Sequence, residues 1–345
     1  MPIEQPRGNE IMMKAFAIDR YGKKETGRIL EMPVPEVGMQ DVLVQIHAAS
    51  LNPLDSKIRN GELKLLLPYR LPLILGNDLA GTVTKIGSLV TKFKVGDKVY
   101  ARPDDDRIGT FAEYIAVKES SLARIPNNLT MEEAAAVPLV GLTAWQTLIE
   151  VAQLKKGQKV LIHAGSGGVG TFAIQLAKHL GAIVATTTST KNFELVKKLG
   201  ADIAIDYKSE DFSTKLQGYD VVLDSLGGKT LVNSLEVLKP GGKLITLAGP
   251  PDPAFAKEIG ANWLISLVMR LLSHKIRKLA KRKGVSYSFV FMKANGSQLQ
   301  EITALIESGA IYPVIDRVFP FSSINDAFTY LDTGRAKGKL VIKVI

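Results

Sequence analysis

The sequence predicts an α/β fold in which a doubly wound parallel sheet is joined to a mostly β domain assembled from both chain ends. Three observations carry that expectation. A glycine-rich turn, HAGSGGVG, stands between the apolar run KVLI and the helix-like TFAIQLAKHLGA. From about Met131 apolar runs of strand length alternate with short helical ones, the rhythm of a parallel sheet covered on both faces. Before that point the chain is written in short alternating or β-branched runs broken by Gly, Pro and Asn. With 345 residues it exceeds the usual span of one hydrophobic core, so two domains are expected.

The elements follow in order. The leading MPIEQPRGNEIMMKAF is polar and lacks an apolar core of signal-peptide length, and Met12 or Met13 suits the start of the folded part. Strands are expected over MKAFAI, VLVQIHA, LILG, TVTKIG, KVYA and FAEYIAV, which fill the first domain through residue 130. One helix is expected over MEEAAAVPLVGLTAWQTLIEVAQL. The strand KVLIHAG, the helix after the glycines, the strand AIVATTT, the helix FELVKKLGA and the strands DIAIDY and YDVVLDSL come next. The helix TLVNSLEVL and the strand GKLITLAG continue a second domain spanning 131–292. GVSYSFVFM, from Gly284 to Met292, reads as the end strand of its sheet. The tail 293–345 supplies the helices QLQEITALIESG and INDAFTYLDTG and the strands VIDRVF and KLVIKVI, and is assigned back to the first domain.

Composition excludes several classes. There is no cysteine, so disulfides, thiolate nucleophiles and thiolate metal sites are out, which suits a reducing, cytoplasmic setting. No apolar run reaches the roughly 20 residues of a membrane span. The net charge of +10 is concentrated between Arg270 and Lys283, where seven Lys or Arg side chains stand without an acid. No aromatic interleaving accompanies that run, so nucleic acid is not an expected partner. Asp104, Asp105 and Asp106 read as a solvated turn, and His47, His163, His179 and His274 have no ligand-pair spacing, so no metal is expected.

In HAGSGGVG, glycines 165, 167 and 170 have G-x-G-x-x-G spacing between a strand and a helix, with a second strand at βαβ distance. That context points to a Rossmann dinucleotide site, although glycines serving only helix–strand packing leave the same mark. The end of the second strand bears on which dinucleotide. An NAD site needs a carboxylate there for the ribose 2′-hydroxyl, yet the first acid after Gly170 is Glu194. Thr188, Ser189, Thr190 and the ammonium of Lys191 instead suit a 2′-phosphate, hence NADP(H). The same hydroxyls also suit a helix cap, and both readings hold together.

SLNPLDSKIRNG, GNDLAGTVTKIG, VGDKVYA, GTFAEYIAV, VPLVGLTAWQTL, HAGSGGVGTFAIQLAK, TSTKN, LGADIAIDY and GRAKGKLVIKV resemble the zinc-free medium-chain dehydrogenases/reductases, in their quinone oxidoreductase and alkenal reductase branch. KGVSYSFVFMKANGSQLQEI and GAIYPVIDRVFPFSSINDAF further resemble a mitochondrial oxidoreductase group of animals. The resemblance implies a GroES-like domain from both chain ends and an inserted Rossmann domain. It implies that Ser166, Gly167, Gly168, Val169 and Gly170 hold the pyrophosphate, with Ser189, Lys191 and Tyr207 near the 2′-phosphate. Asn52, Thr143, Leu226, Ala248 and Phe291 match positions near the nicotinamide, and Arg335 and Lys337 lie on a segment that returns to the cofactor. In the alcohol dehydrogenase branch a cysteine and a histidine hold a catalytic metal where this chain has Asn52 and Asn77.

Without zinc there is no Lewis acid to polarise an alcohol. A quinone or an activated C=C bond needs less help, because arriving hydride pushes charge onto a conjugated oxygen that hydrogen-bond donors can stabilise. The expected function is therefore NADPH-dependent reduction of quinones or α,β-unsaturated carbonyls, with 2-enoyl thioester reduction, or NADPH binding with little turnover, as alternatives. Candidate donors are the amide of Asn52 and the ammonium of Lys57; Asn52 also suits shaping the turn before Pro53, and Lys57 pairing with Asp55 or facing water. The resemblance further implies a homodimer joined through the GVSYSFVFM strand. From Trp263 to Lys283 an amphipathic, basic helical excursion reads as packed on its own domain, as a lid, or as a contact with an anionic membrane.

Overall fold

The computed structural model describes residues 11–23 and 26–345; the polar leader, residues 1–10, lies outside the described residues. By its contacts the chain divides into one unit made of Met1–Leu142 and Lys293–Ile345 and a second made of Thr143–Met292.

In the first unit the order is β1 (Met12–Ile18), β2 (Arg28–Pro33), β3 (Asp41–Leu51), α1 (Pro53–Arg59), β4 (Leu73–Ile74), β5 (Asp78–Ile86), β6 (Lys98–Ala101), β7 (Tyr114–Lys118) and β8 (Leu122–Arg124). The short helix α2 (Met131–Ala135) follows, opened by a capping box in which Thr130 accepts from the Glu133 N–H. Helix α3 (Pro138–Trp145) then carries the chain out of this unit. The helix expected over residues 131–154 is thus broken. Pro138 has no N–H to continue α2, so α3 starts at that residue, and after Trp145 the backbone widens into a π-turn over Gln146–Val151. Because α2 packs on β3 and β5, the contact boundary lies between Leu142 and Thr143 rather than at 130/131.

The second unit continues with β9 (Lys159–Ile162), α4 (Gly168–His179), β10 (Ile183–Thr188), α5 (Phe193–Lys198), β11 (Ile203–Asp206), α6 (Phe212–Lys215), β12 (Tyr219–Asp224), α7 (Gly228–Val237) and β13 (Leu238–Thr246). It ends with α8 (Pro253–Glu258), α9 (Trp263–Leu272), α10 (His274–Arg282) and β14 (Ser286–Phe289). Its six strands are all parallel, in the order β11-β10-β9-β12-β13-β14. This is a doubly wound sheet whose strand order reverses beside β9, where such folds take their ligands. Leu161, Ala185, Val222 and Leu244 form its buried centre. The excursion expected as one helix is two, with Ser273 as the joint.

The tail gives α11 (Gly296–Glu307), β15 (Ile315–Pro320), α12 (Ile324–Asp332) and β16 (Lys339–Lys343) to the first unit. There a seven-stranded sheet runs β15-β16-β3-β5-β6-β8 with β7 also on β3, and a smaller sheet runs β2-β1-β4. The tail strand β16 is a central member, parallel to β15 and antiparallel to β3, with Leu340 opposite Leu51. Phe16, Phe111 and Phe328 meet in this unit's core with ring centroids 6.2–6.4 Å apart, so one aromatic cluster joins both ends of the chain.

Candidate functional site

The glycine turn is built from the end of β9. His163 is buried between Thr187 Oγ1 and Ser234 Oγ, each 2.9 Å from a ring nitrogen, with Phe212 edge-on at 4.7 Å. Burial pushes its pKa down to about 4, so a neutral imidazole pins the turn. Ala164 sits in the left-handed region at φ 52°, and the chain reverses over Gly165. A Cβ on Gly165 would lie 2.0 Å from Thr186 Oγ1, and one on Gly170 would lie 2.3 Å from the Ala164 carbonyl oxygen. Helix α4 therefore packs tightly against the strand ends. Its first-turn N–H groups, on Gly168, Val169 and Gly170, have no carbonyl one turn earlier to meet, and with the helix dipole they form an anion site.

The sequence-predicted phosphate residues gather at this turn. Ser166 Oγ accepts from Thr188 Oγ1 at 2.9 Å and from Asn192 Nδ2 at 3.0 Å, and the same amide lies 3.3 Å from Ser189 Oγ. Asn192, which sequence reasoning missed, thus holds Ser166 and Ser189 together; its Oδ1 is buried with no partner. Lys191 and Tyr207 are exposed, and the Tyr207 N–H donates to the Thr188 carbonyl at 3.3 Å. Asp206, at the end of β11, was also overlooked. Thr190 Oγ1 and the Lys208 N–H donate to its carboxylate, which lowers its pKa. The helix N–H groups, the hydroxyls of Ser166 and Ser189 and the ammonium of Lys191 fit the phosphates of a dinucleotide, whereas the Asp206 carboxylate is anionic and does not.

At the ends of β12 and β13 a buried carboxylate organises two loops. Asp224 accepts from the N–H groups of Leu226 (3.2 Å) and Gly227 (3.1 Å) and from Thr246 Oγ1 (2.7 Å), whose oxygen in turn accepts from the Ala248 N–H at 3.2 Å. Burial raises the Asp224 pKa. Leu226 and Ala248 are therefore fixed by one hub that sequence reasoning missed, since a lone Asp ending an apolar strand looks like a solvated turn. Phe291 packs on Phe255 with centroids 6.2 Å apart, and the Thr143 carbonyl, on α3, accepts from Thr147 Oγ1 at 2.7 Å.

The first unit contains a separate buried polar set. Asn52 follows β3 and caps α1; its Nδ2 donates to Asp78 Oδ2 at 2.8 Å, and its Oδ1 accepts from the ammonium of Lys339. Lys339 also lies 3.1 Å from Asp78 Oδ2, which Ser50 Oγ reaches at 2.7 Å, while the Leu139 N–H binds Asp78 Oδ1 at 2.7 Å. Beside it, Asp55 accepts from the Asn52 N–H (2.8 Å) and from Asn77 Nδ2 (2.7 Å). Lys57 takes no part. It is exposed one helical position beyond Ser56, and Asp55 faces inward, so of the two alternatives to a donor role Lys57 faces water rather than pairing with Asp55. Arg335 and Lys337 are exposed, anchored only by their backbone N–H groups to Thr333 Oγ1 and Asp316.

Lys339 was missed because a lysine opening an apolar strand looks like a solvated end. Only the pairing of Leu340 with Leu51 brings it opposite Asn52. The set does not fit a zinc ion: the Asn52 oxygen already accepts from the Lys339 ammonium, which also lies against Asp78, and the Asn77 amide donates to Asp55, leaving the Asn77 oxygen alone without a partner. Among the described residues no group of three or more His, Cys, Asp or Glu side chains is arranged to hold a metal.

Comparison with known proteins agrees with this architecture. A family model described as "Alcohol dehydrogenase GroES-like domain" matches residues 38–127, and one described as "Zinc-binding dehydrogenase" matches residues 199–342. The chain is 35% identical over 360 residues to "NAD(P)H oxidoreductase RTN4IP1, mitochondrial" of Danio rerio, covering 97% of this chain and 92% of that protein. It is 37% identical over 341 residues to "NADPH-dependent alkenal/one oxidoreductase, chloroplastic" of Arabidopsis thaliana, covering 96% and 79%. The solved quinone oxidoreductase of Coxiella burnetii superposes with a TM-score of 0.85 at 33% identity, over 97% of this chain and all of that one. The cytoplasmic expectation gains no support from relatives named mitochondrial and chloroplastic. Among the described residues no helix is long and apolar enough to cross a membrane.

Proposed function

The chain belongs to the medium-chain dehydrogenase/reductase family of oxidoreductases, and on that premise we propose that it is an NADPH-dependent reductase of quinones or of the C=C bond of α,β-unsaturated carbonyls, working without zinc. The observation that carries the reading is the buried polar set around Asn52 and Asn77: amides stand at the two positions matched to a cysteine and a histidine ligand in the zinc branch, and the Lys339 ammonium lies against Asn52 and Asp78. Bound at the glycine turn, the nicotinamide cofactor supplies the hydride.

The chain's own residues do the rest. The first turn of α4 binds the pyrophosphate through backbone N–H groups, and Ser189, Lys191 and Tyr207 bind the 2′-phosphate. The Asp224 hub keeps the Leu226 and Ala248 loops in register. Asn52 is the proposed donor to the oxygen on which charge develops: one amide N–H goes to Asp78, and the other has only a long contact, 3.5 Å, with the Ser50 carbonyl, which a substrate oxygen would replace; Lys339 polarises that amide by donating to its oxygen. The proton that completes the reaction comes from solvent. Lys57, exposed on α1, is expected to matter less than Asn52.

A panel of quinones, alkenals and enoyl thioesters followed by loss of NADPH absorbance tests the reading. Steady consumption with a quinone or an enone supports it; preference for a thioester moves the substrate class, and tight NADPH binding with no turnover overturns it. Elemental analysis of the same preparation is expected to find no stoichiometric zinc and no effect of chelators.

A further inference from the structure

The second unit carries an apolar surface that the proposed chemistry does not use. On α9, Trp263, Leu264, Leu267, Val268, Leu271 and Leu272 recur at helical spacing and are all exposed, Trp263 at 77% and Leu271 at 66%. Only Met269, on the opposite side, is buried, so the usual order of an amphipathic helix is inverted: its apolar stripe points away from the protein. Contiguous exposed apolar area of this kind marks a surface that meets something.

Charge argues for the occupant. Helix α10 follows after one residue and buries Ile276 and Ala280, which turns Lys275, Lys278, Lys281 and Arg282 outward on one face. Arg277 ties the helices together, donating to Ser273 Oγ at 3.0 Å and to the Arg270 carbonyl at 3.2 Å. From Ile259 through Gln300 the sequence contains no Asp or Glu, so no acid of this segment offsets the cations. An apolar stripe led by a tryptophan and continued by a basic face fits the boundary of an anionic bilayer, with the ring and leucines among the acyl chains and the ammonium groups at the lipid phosphates. Ten residues of helix extend about 15 Å, half of a hydrocarbon core, so the helix lies on the membrane rather than across it.

We propose that α9 and α10 form a peripheral docking surface for anionic lipid bilayers. The proposal is independent of the substrate assigned above, because it is read without turnover. The protein is sedimented with vesicles of phosphatidylcholine alone and of phosphatidylcholine mixed with phosphatidylglycerol, at low and high salt. Wild type is expected to pellet with the mixed vesicles at low salt, to be released by salt, and to show a blue shift of Trp263 emission. Replacing Lys278, Lys281 and Arg282 by Glu is expected to lower the bound fraction at least about tenfold, since each cation near such a surface is worth several-fold in affinity. The exposed-face variant Trp263→Ser/Leu267→Ser/Leu271→Ser is expected to lose binding while keeping the wild-type melting temperature and NADPH affinity. Wild type that stays in the supernatant with mixed vesicles at low salt overturns the proposal. So does an apolar triple variant that binds as wild type, or one that ignores vesicles in both forms yet converts a self-associated wild type to a smaller species, which would make the stripe an interface between copies.

Discussion

Asp55 is fully buried, and its carboxyl is pushed up to about 6, chiefly by burial; bonds from Asn77 and Asn52 pull the other way, and the neighbouring Asp78 adds to the rise. A carboxyl that holds its proton more tightly folded than unfolded stabilises most at low pH. That contribution is lost as pH rises from its ordinary 3.8 through about 6, a change of about 3 kcal/mol. Asp55→Asn is expected to remove this slope, because the new amide donates to Asn77 Oδ1, which is buried and unpartnered, once the Asn77 amide turns over. Urea midpoints measured across that window check it: a variant that keeps the wild-type slope would acquit Asp55. Lys191 is exposed on the second unit. Lys191→Ala is expected to weaken NADPH binding about ten- to a hundredfold, the loss of one charge-assisted hydrogen bond, and to leave NADH nearly untouched. Titration with both cofactors decides, and equal losses would remove the 2′-phosphate assignment. The turn 163–170 and the hydroxyls after β10 were legible because local spacing alone creates them. Lys339, Asn192 and Asp224 were not, since each acquires its role from a strand or loop distant in sequence.

Between β9 and α4 the chain has almost no slack. Gly170→Ala would drive a methyl into the Ala164 carbonyl and the Gly165 Cα, 2.7 Å away, so α4 must move off the sheet. The expected result is a stability loss of about 1–3 kcal/mol together with loss of NADPH affinity, read by thermal melting and titration. Ala164→Gly should do the reverse for stability, gaining about 1 kcal/mol by relieving the left-handed residue. A Gly170→Ala protein that binds NADPH normally would show that the anion site does not depend on this packing. Elements with a clean period were legible: the four strands β9 to β12 fall within runs read as buried apolar segments, and β13 overlaps the run GKLITLAG but starts earlier, at Leu238, the end of the run read as a helix. The strand β2 escaped notice because RILEMP is largely exposed, alternates charge with apolar residues and ends in proline, as edge strands do. The breaks at Pro138 and Ser273 were hidden by apolar periodicity that continues across both.

β14 has β13 as its one sheet neighbour among the described residues, which leaves an edge of the second unit's sheet without a strand. An open, partly apolar edge invites pairing with its own copy, and light scattering is expected to give twice the chain mass. A single-chain mass would refute the pairing. The route of the chain also sets a timetable. The second unit runs uninterrupted from Thr143 to Met292 and contains all its strands, whereas the first cannot close until β16 slides between β15 and β3. Asp78 is therefore synthesised 261 residues before Lys339, the ammonium that makes its burial tolerable. On the ribosome the inserted unit can complete its core while the first half of the other waits with one edge of β3 bare and a carboxylate that has no counter-ion. The unit that begins first in sequence is the one that finishes last.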